Sequence, residues 1–146
     1  MTYFSKTAFI VAGIGIALSG CTYFEPAFPD QVTKSAADGL QSVSSLVASA
    51  QLGDFKGPGS YNGAATRYAD ALAQLEVTRS WVKNRAESND GRPATKAATL
   101  LAADLTECVD GVTEMAQQHR TVGLGQSQAY TLVQVTCAIP INNILQ

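Results

Sequence analysis

The sequence lacks the residue patterns on which most catalytic and metal sites depend. It has one histidine, and none of its three cysteines forms a Cys-x-x-Cys pair. The 146 residues contain no Glu-x-x-His pair for a di-iron bundle, no Gly-x-Ser-x-Gly nucleophile turn and no phosphate-binding glycine loop with its lysine. We therefore expect a protein that is not an enzyme and that holds neither a metal nor a cofactor.

A haem site is also disfavoured by the few residues able to ligate iron. Met115 and His119 lie four residues apart, about one helical turn, so they cannot occupy opposite sides of a single iron. The only other methionine is Met1, and the Cys-x-x-Cys-His attachment motif is absent. A histidine at this position is better explained by the dipole and free carbonyls of a helix end.

Charge is sparse and has no strong sign. Charged residues make up 15% of the chain, with 10 Lys and Arg against 12 Asp and Glu. No basic stripe is present, which argues against a nucleic-acid partner and against electrostatic attachment to anionic lipid. The most acidic segment predicts a solvated helix face, and its residues are Asp104, Glu107, Asp110 and Glu114.

The amino-terminal segment has the order of features that export signals share. Lys6 supplies a positive charge, and the apolar run over residues 8–18 follows it. This run is shorter than the roughly 17–25 residues that a membrane-spanning helix needs. Small residues come directly after it, which is the pattern of a cleaved secretory signal. The alternative is an uncleaved signal anchor that happens to end in a cysteine.

The run ends in Leu18-Ser19-Gly20-Cys21, which resembles the lipobox of bacterial lipoproteins. This resemblance implies cleavage between Gly20 and Cys21 by a peptidase of the signal peptidase II type, with diacylglycerol on the Cys21 thiol and an acyl chain such as palmitate on the new amino group. Thr22, in place of an aspartate, implies the outer membrane facing the periplasm if the host is Gram-negative. The chain then divides into a signal peptide (1–20), a lipidated cysteine with a linker (21–29) and a domain (30–146).

The linker is rich in aromatic residues and proline, so it is not expected to be helical. Fully extended, it reaches about 25 Å, which keeps the domain close to the bilayer. Two interpretations of Tyr23, Phe24 and Phe28 stay open. Their rings rest in the lipid interface, or they cap the end of the domain.

Apolar spacing beyond the linker predicts helices over residues 30–52, 61–87, 93–120 and from 126 onward. Asp30 is available as the N-cap of the first helix, and Thr78 interrupts the apolar stripe of the second. Pro140 is expected to kink the fourth helix or to end it at about residue 139. Four amphipathic helices joined by short turns predict an all-α, up-down-up-down four-helix bundle.

Cys108 and Cys137 lie on the apolar stripes of the third and fourth helices, and their midpoint falls in the turn over residues 121–125. In an antiparallel hairpin the two cysteines have matching height. Because the resemblance at Cys21 implies an oxidising compartment, we expect a Cys108–Cys137 disulfide. The alternative is a pair of reduced core cysteines.

Aromatic residues are few, and three of them are candidates for a surface that contacts a partner. Trp81 is first interpreted as a core or end-cap residue. If it is exposed together with Tyr61 and Tyr68, the three mark a contact surface, because aromatic side chains dominate binding hot spots.

The function predicted by elimination is a membrane-anchored, non-enzymatic envelope lipoprotein that binds another envelope protein as an accessory or structural subunit. Its membrane contact is the lipid on Cys21. One alternative is a carrier that holds a small apolar ligand in the bundle core. Another is an exclusion or lysis lipoprotein of a mobile element.

Overall fold

Four α-helices follow one another in a computed structural model that describes residues 28–88, 93–125 and 129–146. The helices are α1 (Asp30–Leu52), α2 (Tyr61–Glu87), α3 (Pro93–Val122) and α4 (Ala129–Leu145), with a short 3₁₀ turn at Pro58–Ser60 before α2. No strand occurs in these described ranges. The predicted signal peptide and Cys21 lie outside them.

Neighbouring helices run in opposite directions, as the pairing along each interface shows. On α1 and α2, Leu75 packs over Gly39, whereas Arg67 bonds to Ser45. The α3–α4 and α1–α4 interfaces show the same inverse order in the pairs Cys108–Cys137, Gln118–Tyr130, Ser44–Gln134 and Gln51–Thr131. The predicted up-down-up-down four-helix bundle is therefore confirmed.

The core forms where the apolar stripes of the four helices meet. Its largest fully buried apolar side chains come from every helix and from the turn after α3, and they are Leu46, Tyr68, Leu75, Leu105, Leu124 and Ile141. Burying a side chain of this size stabilises the fold by roughly 1.5–3 kcal/mol. These residues fill the space between the helices.

The stripe of α2 differs from its prediction. Thr78 does not interrupt it, because this side chain is fully buried and its hydroxyl donates to the Gln74 carbonyl at 3.0 Å. Satisfying the hydroxyl within its own helix removes the cost of burying it. Ala64 and Ala71 are buried, whereas their neighbours Ala65 and Leu72 are only partly buried.

Both ends of α1 use backbone groups as caps. The prediction of Asp30 as N-cap is wrong: Asp30 is the first helical residue, and the Pro29 carbonyl at the cap position accepts the Val32 amide at 2.7 Å. At the other end Gly53 adopts φ +85°, and its amide bonds to the Ala50 carbonyl at 3.0 Å. This left-handed conformation is the usual glycine stop of a helix.

Pro140 does not end α4, which continues to Leu145. The expectation of an end at about residue 139 is wrong. Proline removes one backbone hydrogen bond, but Ile141 and Ile144 beyond it are buried in the core. Their burial provides a reason for the helix to continue.

Candidate functional site

The disulfide predicted from helical spacing is present. Cys108 and Cys137 are fully buried, with their sulfur atoms 2.09 Å and their Cα atoms 4.7 Å apart. The bond joins α3 to α4 near the middle of both helices. It holds α4 against the bundle and thereby fixes which side of this helix faces outward.

The outward side of α4 carries an apolar row that no described residue covers. Leu132 is 68% exposed, Val135 47% and Ile139 56%. Single exposed apolar residues are normal on protein surfaces, but three aligned on one helix face form a patch. We call these three residues the α4 row.

The α4 row is distinguished from the other outer faces by its lack of charge. The sequence of α4 contains no Asp, Glu, Lys or Arg. In contrast, α1 carries the Lys34–Asp38 ion pair, and α2 carries Arg79–Glu76 and Lys83–Glu87. Depletion of charge around an exposed apolar centre is the composition that protein-binding surfaces show.

A second cluster surrounds His119, near the carboxyl end of α3. His119 Nε2 lies 2.9 Å from Ser60 Oγ, and His119 Nδ1 lies 3.3 Å from the Tyr68 hydroxyl. The Ser60 hydroxyl donates its single proton to the Gly57 carbonyl at 2.6 Å. It follows that Nε2–H donates to Ser60 and that Nδ1 accepts from Tyr68.

The surroundings of His119 keep it neutral. The Phe55 ring centroid is 4.4 Å from the imidazole centroid, and the Tyr61 ring meets the imidazole edge-on at 5.5 Å. Burial lowers the pKa of His119 below its ordinary value of 6.5. Burial also raises the pKa of Tyr68, and the nearby Tyr61 adds to this effect.

The His119 cluster is a structural junction and not an open site. The His119 side chain is fully buried, so a ligand has no access to its ring nitrogens. The expectation that His119 serves the free carbonyls of its helix end is wrong, since both ring nitrogens bond to side chains. The cluster was not predicted from the sequence, because Phe55 and Ser60 come from a glycine-rich segment without periodicity.

The two loops at this end of the bundle are packed directly on each other. The Leu124 amide donates to the Phe55 carbonyl, and the Leu124 side chain is fully buried. Gly123 adopts φ +82°, and a Cβ there would lie 2.6 Å from the Lys56 carbonyl oxygen. Only glycine fits this contact without a shift of backbone.

A groove of about 730 Å³ lies at the opposite end of the bundle. Its apolar lining includes Phe28, Leu100, Leu101, Ile144 and Leu145. The Arg85 guanidinium stacks over the Phe28 ring at 4.9 Å, and Phe28 packs against the core. Phe28 therefore caps the domain, which was one of the two interpretations of the linker aromatics, whereas Tyr23 and Phe24 lie outside the described residues.

The predicted aromatic contact surface is not assembled. Tyr68 is buried in the core, and Tyr61 is partly buried and stacks on Tyr68 with ring centroids 5.9 Å apart. Trp81 is 48% exposed on α2, so it is not a core residue. Of the three, only Trp81 remains available to a partner. The other predicted site residues, Gly20 and Cys21, lie outside the described ranges.

No group of three or more His, Cys, Asp or Glu side chains is placed to hold a metal ion in residues 28–88, 93–125 and 129–146. Within these ranges, no helix combines the length and the hydropathy needed to cross a bilayer.

Comparison with protein-family models, curated proteins and solved structures gives no match for this chain.

Proposed function

We propose that this protein is a non-enzymatic envelope lipoprotein, anchored to the membrane through Cys21, which binds another protein at the α4 row. The observation that carries the proposal is the exposure of Leu132, Val135 and Ile139 on a helix without charge. Burial of one such side chain is more favourable than its exposure to water by up to about 1.5–3 kcal/mol of free energy. A partner that covers the row recovers part of this energy.

The disulfide and the packing of α4 support this role. Val133 packs over Gly111 of α3, and Thr131 and Gln134 bond to Gln51 and Ser44 of α1. The row is thus presented by a helix that is held on both flanks and cross-linked to α3 at Cys137. A rigid apolar face loses little conformational entropy on binding.

The anchor is supported by the lipobox resemblance and by the position of Phe28. Phe28 lies at the groove end of the bundle, seven residues after Cys21, so a lipid on Cys21 is within about 25 Å of this end. Two or three acyl chains hold a protein stably on a membrane without a spanning helix. The α4 row then stands on the side of a domain that is close to the bilayer.

Two measurements test the proposal. Cells expressing the full chain are labelled with palmitate, and Cys21→Ser is expected to remove both the label and membrane attachment. A photo-crosslinking residue is then placed at Val135, with Ala73 on the exposed side of α2 as the control position. Crosslinks to a protein at position 135 but not at 73 support the proposal, whereas equal labelling at both positions, or none, contradicts it.

A second candidate function is a carrier of a small apolar ligand, and the groove favours it. We place its ligand at the end of the bundle, against Leu100, Leu101 and Ile144, since large side chains fill the space between the helices. The volume of the groove, about 730 Å³, lies in the range of small-molecule sites. Native mass spectrometry of protein extracted from membranes tests this role: a bound small mass that is lost in Leu101→Glu supports it, and a ligand-free domain contradicts it.

A further inference from the structure

The exposed residues of α4 have the spacing of a helix–helix seam. Four exposed residues follow one another in steps of three, four and three, and we call them the seam: Leu132, Val135, Ile139 and Asn142. Alternating steps of three and four bring side chains onto one line along a helix, as in the a and d positions of a coiled coil. This line lies on the side of α4 away from Cys137 and Ile141, which are both fully buried.

The positions that flank this seam are also uncharged. The flanking residues are all at least partly exposed, and they are Thr131, Thr136, Ala138 and Asn143. In helix pairs, charges at the flanking positions select partners and repel copies of the same chain. Their absence here means that a second copy meets no like-charge repulsion along the seam.

We propose that the partner at the α4 row is a second copy of this chain, paired in parallel across a two-fold axis that runs along α4. This inference rests on the proposed function, because it assigns the partner of the same row. In such a pair each seam residue lies opposite the same residue of the other copy. Leu132, Val135 and Ile139 form the apolar contact, and the two Asn142 amides bond to each other and set the register.

The anchor selects the parallel orientation. The linker enters each domain at Phe28, at the groove end of the bundle. A two-fold axis along the bundle places both Phe28 residues at the same end, so both lipids reach one membrane. An antiparallel pair would place them at opposite ends of a helix that is about 25 Å long for its 17 residues, so one linker would need its full extension of about 25 Å to reach the shared membrane.

The size of the seam indicates that the shared membrane is part of the interaction. Stable dimers bury about 800 Å² on each partner, and one row of three apolar side chains supplies only part of this area. Two domains held on the same surface have a high effective concentration, which compensates for weak contact. We therefore expect dimers on the membrane and monomers of the unlipidated domain in dilute solution.

Cysteine trapping in cells that express the full, lipidated chain tests the inference. Val135→Cys and Ile139→Cys place a thiol on the seam, and Ala73→Cys places one on the exposed side of α2. The seam variants are expected to form a disulfide-linked dimer on non-reducing gels, and A73C is not. Mass spectrometry checks that the Cys108–Cys137 bond is retained in each variant.

A second-site charge separates specific pairing from chance collision. In V135E/I139C the two glutamates face each other across the seam, so the dimer yield is expected to fall about tenfold or more compared with I139C alone. A73E/I139C, which carries the same charge away from the seam, keeps its yield. Thermal unfolding is expected to show that V135E remains folded, because Val135 is 47% exposed.

The outcomes distinguish the inference from the function on which it rests. If the seam variants form no disulfide and position 135 crosslinks to a different protein, the partner is not a second copy. The protein-binding function then still holds. No disulfide and no protein crosslink overturns both. A seam disulfide whose yield does not respond to V135E overturns the parallel pairing.

Discussion

The hydroxyl of Tyr68 donates a hydrogen bond to Nδ1 of His119 across the α2–α3 interface, over 3.3 Å. Both side chains are buried, and the other ring nitrogen of His119 is used by Ser60 at 2.9 Å. Together the two bonds of His119 link α2, α3 and the turn between α1 and α2. They make this end of the bundle depend on a neutral histidine.

Acid is expected to weaken the fold through His119. The unfolded chain takes up a proton at the ordinary pKa of 6.5, whereas burial lowers the pKa of the folded state. The free energy of unfolding therefore decreases as the pH falls below about 6.5, and this decrease ends near the pKa of the folded state. Above about pH 7.5, His119 does not make the free energy of unfolding depend on pH. Urea unfolding of the domain between pH 5 and 8 measures this, and His119→Gln provides the non-titrating control. Parallel pH curves for the two proteins would contradict the prediction.

Removing the Tyr68 hydroxyl is expected to destabilise the domain more than the same change at Tyr61. Tyr68→Phe leaves Nδ1 of His119 buried without its donor, which costs about 1–3 kcal/mol. Tyr61→Phe is the matched control, because Tyr61 contributes its ring to the cluster, stacked on Tyr68 and edge-on to His119. Its hydroxyl has no hydrogen-bond partner among the described residues. The difference between the urea midpoints of the two variants tests the bond, and equal midpoints would mean that it adds nothing.

The Cys108–Cys137 bond is expected to contribute about 3–4 kcal/mol by closing a loop with a sequence separation of 29 residues. Replacing both cysteines with serine should lower the free energy of unfolding by at least this amount, because the buried hydroxyls add a cost. Reduction of the purified mature domain should raise its mass by two hydrogen atoms, one on each sulfur. Two free thiols before reduction would refute the pairing.

Gly123→Ala is expected to destabilise the junction of the two loops. The residue has φ +82°, and the new Cβ would meet the Lys56 carbonyl oxygen at 2.6 Å. The left-handed backbone alone costs about 1–2 kcal/mol for a residue with a Cβ. Gly125→Ala is the control two residues further on, where a Cβ meets nothing within 4 Å. Thermal unfolding should show a lower midpoint for G123A only; similar shifts in both variants would argue against the contact.

The helix bounds were largely predictable because glycine and proline stop helices locally. Leu52 and Glu87 end α1 and α2 where the sequence predicted, before segments rich in glycine or polar turn residues. Pro140 misled the same reasoning, since the burial of Ile141 depends on packing that a local pattern does not contain. Thr78 was wrongly expected to interrupt the buried stripe of α2. Its hydroxyl is buried at low cost, because its hydrogen bond is made within its own helix.

By itself the sequence determined the helical fold and the pairing of Cys108 with Cys137, because both follow from a helical period and from distance along the chain to one turn. The anchor at Cys21 remains a prediction from sequence alone. The apolar stripe through Cys137 already indicated the buried side of α4. Only the tertiary structure decided that no other described residue covers the opposite side, where Leu132, Val135 and Ile139 are exposed, because coverage depends on how distant segments pack. Likewise, only packing brings Ser60, Tyr68 and His119 together from three segments, because hydrogen bonds between distant parts of a chain leave no periodic trace in it.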